Sequence, residues 1–263
     1  MPFFRRPFKK KVVWEEENIL SVNNIRFYIM QSLLDKQRVE STCDQFFLYK
    51  PAWLVKKYMK ILDAIPTKNV MEIGILKGGS SAFYHAYCNP EKLVAIEYQD
   101  QPVAALQEYI KKKKCLNKLK PYYGVNQADE RVKDILKDEF PNRDIDVVVD
   151  DASHMYEETK RSFNMIFPYI RKGGMYIIED WSWAHAPHDL WQKADGKWSD
   201  KPALTNLIFE IIMACNGPTE IIDEVIIDKN NAFIKKGHDR AGVDQFDISK
   251  SYLTRGKKFV PFL

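Results

Sequence analysis

Between Val70 and Ile178 the chain alternates short apolar runs with stretches whose apolar residues recur at helical spacing. Val70 to Ile73 reads as a strand and Ser80 to Tyr87 as a helix. Leu93 to Ile96 reads as a strand and Pro102 to Lys113 as a helix. A short strand at Tyr122-Tyr123 precedes a helix near Asp129 to Phe140. Ile145 to Val149 is a strand, Glu157 to Ile170 a helix ended by Gly173-Gly174, and Met175 to Ile178 a strand. Strand–helix alternation of this kind predicts an α/β fold: a mostly parallel, seven-stranded sheet with helices on both faces. Glu220 to Ile227 and Ala232 to Ile234, joined by Asp228-Lys229-Asn230-Asn231, predict a C-terminal antiparallel hairpin added to that sheet.

The flanks are less regular. Leu54, Val55, Tyr58, Met59 and Leu62 place a helix over Ala52 to Ala64, stopped by Pro66. Residues 1–50 read as an N-terminal extension, partly helical, with a helix near Val22 to Asp35. Residues 51–237 form the main domain. Within it the aperiodic, Trp- and His-rich segment of about 181–202 is too long for a plain connection and reads as a lid. A helix over Ala203 to Asn216 follows. Residues 238–263 read as a polar tail or interface arm, and arms at both ends favour a homo-oligomer.

The 40 basic and 36 acidic residues leave a net charge of +4, too small an excess to argue for nucleic acid. Arg5-Arg6 with Lys9-Lys10-Lys11 reads as a solvated tail, and Lys111 to Lys114 as the cationic end of a helix. Cys43, Cys88, Cys115 and Cys215 have neither metal-knuckle nor redox spacing, which suggests a reducing, cytoplasmic setting. No apolar run is long enough to span a membrane. No apolar segment follows the basic N-terminus, so it does not read as a secretory signal.

The chemistry concentrates where apolar strands stop. Val147 to Val149 runs into Asp150-Asp151-Ala152-Ser153-His154, and Tyr176 to Ile178 into Glu179-Asp180. Ligands of a parallel sheet bind beyond the carboxyl ends of its strands. Carboxylates that converge there repel one another unless a cation lies among them. Upstream, Glu72-Ile73-Gly74-Ile75-Leu76-Lys77-Gly78-Gly79-Ser80 turns from the first strand into a helix that the Ser80 hydroxyl can cap. It lacks the middle glycine of a dinucleotide fingerprint. The acid before the first glycine suits a ligand with an ammonium group better than a pyrophosphate. Glu97, at the end of the second strand, can accept both hydroxyls of a ribose. Together these favour a nucleoside amino acid over a dinucleotide.

Glu-x-Gly-x-x-x-Gly-Gly-Ser with an acid ending strand two resembles the S-adenosylmethionine site of Rossmann-like class I methyltransferases. Asp151-Ala-Ser-His154, Glu179-Asp180 and Asn231-Ala-Phe-Ile-Lys-Lys-Gly237 narrow the resemblance. They point to the Mg²⁺-dependent macrolide-sugar and aminocoumarin-sugar O-methyltransferases and the cephalosporin hydroxylase-like proteins. The resemblance spans about Lys50 to Gly237. It implies that Glu72, Gly74, Gly78 and Ser80 line the cofactor, that Glu97 binds ribose, and that Gln127 and Asp129 sit near adenine. Related enzymes often carry Gly-Asp-Gln-x-Asp where this chain has Gly-Val-Asn-Gln-Ala-Asp129. Asp150 falls beside the cofactor. Asp151, Glu179 and Asp180 would hold Mg²⁺ or another divalent cation, and His154 would be the base. A histidine suits that task because its ordinary titration lies near neutrality. The acceptor would be a hydroxylated small molecule such as a sugar.

Plainer roles compete with these. Asp150 and Asp151 could cap the next helix, Glu179 and Asp180 could be solvated, and His154 could be structural. His185 and His188, three apart, are better read as lid residues than as a zinc pair. Trp181, Trp183, Trp191 and Trp198 could stack on a ring or simply pack the lid. His85 reads as structural. Two other functions fit the same resemblance: a role in an oxygenation pathway, as for the cephalosporin hydroxylase-like proteins, or a non-catalytic binding protein on the same scaffold. No two-histidine-one-carboxylate triad appears in the core motifs, which argues against direct iron oxygenation.

Overall fold

The computed structural model describes residues 10–196, 198–238 and 246–262. Arg5, Arg6 and Lys9 of the basic cluster lie outside the described residues, as does 239–245 of the expected tail. The chain divides into two compact units, one of Met1–Lys68, Ile75–Ala95 and Gln101–Pro121, the other of Asn69–Gly74, Ile96–Asp100 and Tyr122–Leu263. Among the described residues, no helix is long and apolar enough to cross a membrane.

The first unit begins with strands β1 (Val12–Glu16), β2 (Ile19–Val22) and β3 (Ile25–Met30), the short helix α1 (Asp35–Arg38), strand β4 (Gln45–Pro51) and helix α2 (Ala52–Ala64). The four strands form one sheet in chain order. Strands therefore occupy the region where periodicity predicts a helix near Val22 to Asp35. Asn23 and Asn24 take left-handed backbone angles, φ 51° and 67°, and Val22 pairs with Ile25 across them. Two consecutive left-handed residues make the hairpin turn whose twist matches its strands, and asparagine tolerates that conformation well. Beyond the turn Ile25, Phe27 and Ile29 alternate inward and are buried.

Helix α3 (Gly79–Cys88) lies against this sheet, with the Phe27 and Phe83 rings edge to face at 5.7 Å. A Cβ at Gly79 would lie 1.9 Å from the Phe47 carbonyl oxygen. Close packing on β4 therefore requires that glycine. The helix is capped at Gly78, with φ 79° and no side-chain cap, so Ser80 is not the capping residue. Strand β6 (Lys92–Ile96), helix α4 (Ala104–Lys113) and strand β7 (Leu119–Tyr122) follow.

The second unit carries β5 (Asn69–Ile73), helix α5 (Arg131–Glu139), β8 (Ile145–Asp150), helix α6 (Tyr156–Ile166) and β9 (Ile170–Ile178). It continues with helices α7 (Asp189–Gln192) and α8 (Thr205–Cys215), then β10 (Ile222–Ile227) and β11 (Ala232–Lys236). The seven-stranded sheet runs β10-β11-β9-β8-β5-β6-β7. β5, β8 and β9 are parallel. β11 is antiparallel to β9, and β10 to β11, as the C-terminal hairpin predicts.

The register places the chemistry. Ile73 pairs with Asp150 and Asp150 with Ile178, so three strands end in one row. Gly74, Asp151 and Glu179 then leave the sheet side by side. Gly173-Gly174 lies inside β9 rather than ending a helix. Helix α6 stops at Ile166, and a tight turn over Phe167–Tyr169 leads directly into the strand. The glycine pair, with φ 75° at Gly173, makes the irregular start of β9, where pairing jumps from Ile145–Ile170 to Val147–Met175.

Part of the expected tail packs on this unit. The Asn206 amide donates to the Phe262 carbonyl (2.7 Å) and accepts from the Phe262 N–H (3.0 Å). Buried Glu210 of α8 accepts from the Tyr156 (2.9 Å) and Tyr252 (2.7 Å) hydroxyls and pairs with Lys160 (2.8 Å).

Candidate active site

The strand ends and the acids and histidine beyond them belong to the second unit. Where β5 ends, Gly74 has φ 98°, and a Cβ there would lie 2.2 Å from the Asp151 carbonyl oxygen. Only glycine lets the two strand ends approach so closely. The Gly74 N–H donates to the Ile96 carbonyl (2.9 Å), the Asp151 N–H to Ile73 (2.9 Å), and the Glu179 N–H to Asp150 (3.0 Å). This backbone stitching fixes the edge from which the side chains project.

Asp151, His154 and Asp180 each offer a ligand atom within 4.8 Å of the others. His154 Nε2 lies 3.7 Å from Asp151 Oδ1, and both side chains are partly accessible. His154 and Asp180 have left-handed backbones, φ 56° and 54°. Such angles are costly for residues with a Cβ, and they cluster at functional sites. Of the three acids expected to hold a cation, two fall in this group. Glu179 is buried at the end of β9 and is not a member. Two carboxylates beside an imidazole form a donor set that fits a divalent cation.

Asp150 points the other way. It is buried and accepts from the Tyr176 hydroxyl (2.6 Å) and the Ser162 hydroxyl (3.1 Å). Burial pushes its carboxyl up to about 6, against these hydrogen bonds. Gln127 joins the same network. Its amide carbonyl accepts from the Ser153 N–H (2.9 Å), and its amide nitrogen donates to Ser162 Oγ (3.2 Å). Sequence reasoning missed Tyr176 and Ser162. Tyr176 sat inside an apolar strand run, and the only cue to Ser162 was its helical spacing from Thr159.

Glu72 is buried on β5. The Glu97 carboxylate accepts from the Gln99 N–H (3.0 Å), which holds it at its strand end. Asp129 is exposed and accepts from the Arg131 N–H (3.0 Å). Gly78 and Ser80 belong to the first unit, at the start of α3.

The segment after Asp180 folds over the cluster. Trp181 Nε1 donates to the Asp228 carbonyl (3.0 Å) and the Ser182 hydroxyl to Lys229 (2.7 Å), tying its start to the β10–β11 turn. The Trp183 ring packs on the His154 imidazole, centroids 4.6 Å apart. Trp183 meets Trp191 edge to face, and Trp191 stacks on Trp198, each at 5.7 Å. A cavity of about 290 Å³ opens among His154, Asp180, Trp181, His185, Trp191 and Trp198. His185 contacts the Thr205 hydroxyl and, with His188, stands outside the ligand group.

Residues 71–181 match the model of a methyltransferase domain family. Demethylmacrocin O-methyltransferase of Streptomyces fradiae is 48% identical over 42 residues, 16% of this chain and 11% of that enzyme. An uncharacterised protein of Acanthamoeba polyphaga mimivirus is 25% identical over 194 residues, 65% of this chain and 79% of that protein. The MycE methyltransferase of mycinamycin biosynthesis, solved with Mg and SAH, superposes with a TM-score of 0.54 at 24% identity. That alignment covers 72% of this chain and 51% of MycE, so the chain spans about half the length of that neighbour. The two share a fold, and residues 71–181 resemble a methyltransferase domain.

Proposed function

We propose that the chain is an S-adenosylmethionine-dependent O-methyltransferase that uses a divalent cation and acts on a hydroxyl of a sugar or other polyhydroxylated small molecule. The observation that carries this reading is the grouping of Asp151, His154 and Asp180 within 4.8 Å at the edge of a tryptophan-walled cavity. The strand that ends beside them carries the Glu72-x-Gly74 turn. The named relatives support it: one is a demethylmacrocin O-methyltransferase, and MycE has been crystallised with Mg, SAH and mycinamycin VI.

When bound, the cofactor supplies an electrophilic methyl group, and the cation lowers the pKa of a hydroxyl brought to it. Asp151 and Asp180 would hold the cation. Glu72 and Glu97 would take the polar ends of the cofactor, and Gly74 lets the backbone turn sharply at that strand end. His154 takes the acceptor's proton at Nε2, and Trp183 keeps its ring from rotating away. Trp191 and Trp198 offer flat apolar faces to a ring, and the lid excludes water while acceptor and methyl carbon are aligned. Base and positioning effects of this kind each contribute orders of magnitude in rate.

The test is incubation with labelled S-adenosylmethionine and a panel of ring diols, with and without chelator. Transfer to a diol that stops in chelator and returns with Mg²⁺ is expected. Transfer undiminished by chelator removes the cation from the reading. No transfer, together with no cofactor binding, removes the enzyme.

A further inference from the structure

We infer that Gln127 is a positioning residue for the loop that presents Asp151 and His154, rather than a contact to adenine. The inference rests on the function proposed above. The resemblance to class I methyltransferases implies a place for Gln127 near the adenine, although its Gly124-Val-Asn-Gln-Ala-Asp129 departs from the usual Gly-Asp-Gln-x-Asp. Its surroundings assign it differently. The side chain is buried, and both of its ends are engaged by protein. Its carbonyl accepts from the Ser153 N–H at 2.9 Å. Ser153 lies between Asp151 and His154, so that bond holds the backbone of the presenting loop from within. The Ser153 hydroxyl in turn accepts from the Met155 N–H (3.2 Å), which tightens the exit from the loop.

The other end is anchored to rigid structure. Gln127 Nε2 donates to Ser162 Oγ on α6 (3.2 Å), and Ser162 and Tyr176 both reach the Asp150 carboxylate at the end of β8. Ser162 and Asp150 are buried, so no water replaces these bonds at low cost. A strut therefore runs from β9 through Asp150, Ser162 and Gln127 to the Ser153 N–H. The loop it supports needs such support, because His154 sits at φ 56°, a conformation that persists only when its surroundings enforce it.

Residues that orient metal ligands typically cost 10–100-fold in metal affinity when changed. Full-length wild type, Gln127→Met, Ser162→Ala and the double variant would be titrated with Mn²⁺ by electron paramagnetic resonance and with S-adenosylhomocysteine by calorimetry. Each single change should weaken Mn²⁺ about tenfold and leave S-adenosylhomocysteine within about twofold. The double variant should also lose about tenfold rather than a hundredfold, because both changes cut one strut. General loosening of the fold would instead weaken both ligands together, and that outcome overturns the inference. So does a tenfold loss of S-adenosylhomocysteine affinity in Gln127→Met with Mn²⁺ unchanged, which would return Gln127 to the adenine. If Gln127→Met does not fold, Ser162→Ala alone decides, since Ser162 contacts neither ligand in either account. Wild type that binds neither probe brings down the proposed function and this inference together. Wild type that binds both, with variants unaffected, brings down this inference alone.

Discussion

At the scale of single residues, geometry makes some positions far less replaceable than their chemistry suggests. Gly74→Ala adds one methyl group, yet that Cβ would sit 2.2 Å from a backbone oxygen at φ 98°. A loss of about 3 kcal/mol or more is expected, from strain plus displacement of the Asp151 carbonyl. Denaturant unfolding would measure it, and a change under 1 kcal/mol would mean that the two strand ends are not in this contact. His85 makes a second case. Burial, helped by Lys118 and Lys113, holds its imidazole down at about 4, and its Nδ1 lies 2.9 Å from the Tyr109 hydroxyl. Above pH 6.5 the ring is neutral folded and unfolded, so stability is intact. As pH falls from 6.5 towards 4 the unfolded chain binds a proton that the folded one refuses, and stability declines. With the partly accessible ring discounted, the decline amounts to about 1–2 kcal/mol. Comparison of unfolding at pH 7 and pH 4.5 in wild type and His85→Phe should show the smaller drop in the variant. The sequence marked Gly74 and His85 correctly as a turn glycine and a structural histidine. It could not show why: the contact partners, Asp151 and Tyr109, are distant in sequence.

At the scale of elements, legibility followed the source of the pattern. Strands β5, β8 and β9 are apolar because both faces are covered, and such runs stand out in any window. The N-terminal strands are short, and their signal lay in the Asn23-Asn24 turn and the alternation after it rather than in apolar density. Gly173-Gly174 misled because glycine after a helix usually marks its end, whereas here it shapes the entry into β9. The resemblance already set Asp150 apart from Asp151 and Asp180, and the structure shows what holds each. One row of pairs sends Asp150 into a buried network, while Asp151 and Asp180 join His154. The pairing of α6 with α8 was not legible either, because Tyr156, Lys160, Glu210 and Tyr252 lie on three separate segments. Glu210→Ala strands the Tyr156, Tyr252 and Ser249 hydroxyls and the Lys160 ammonium around a buried gap. Removal of one partner from a buried charged network costs about 3–5 kcal/mol. Lys160 retains some access to solvent, so the low end is expected. At roughly 2–4 °C per kcal/mol for a chain of this size, the melting temperature should fall by about 6–12 °C. Glu210→Gln keeps the shape and one acceptor and should lose about half as much. Equal losses in the two variants would show that charge, not the acceptor geometry, holds the elements together. The lid yields a different readout: Trp191→Ala should raise the KM for the acceptor about tenfold while cofactor affinity stays within about twofold. Loss of cofactor affinity instead would place that ring on the donor side.

At the scale of the whole molecule, the donor and acceptor halves of the proposed reaction make separable contributions to stability. Any ligand that binds only the folded chain raises its stability by an amount set by concentration over Kd, about 2.7 kcal/mol at a hundredfold excess. That corresponds to a rise of roughly 5–10 °C in melting temperature. S-adenosylhomocysteine and Mg²⁺, each in such excess, should each raise the melting temperature. Chelator should remove only the second increment. Asp180→Asn removes one of the two grouped carboxylates while leaving Glu72, Gly74 and Glu97 untouched. It should lose the Mg²⁺ increment and keep the nucleoside increment almost whole. The two halves then fail in distinguishable ways. No increment with S-adenosylhomocysteine in wild type would refute the donor half, whatever the cation does. A Mg²⁺ increment that survives Asp180→Asn would mean the cation binds away from the strand ends. The grouping of Asp151, His154 and Asp180 would then be an acid–imidazole contact with no metal chemistry attached to it.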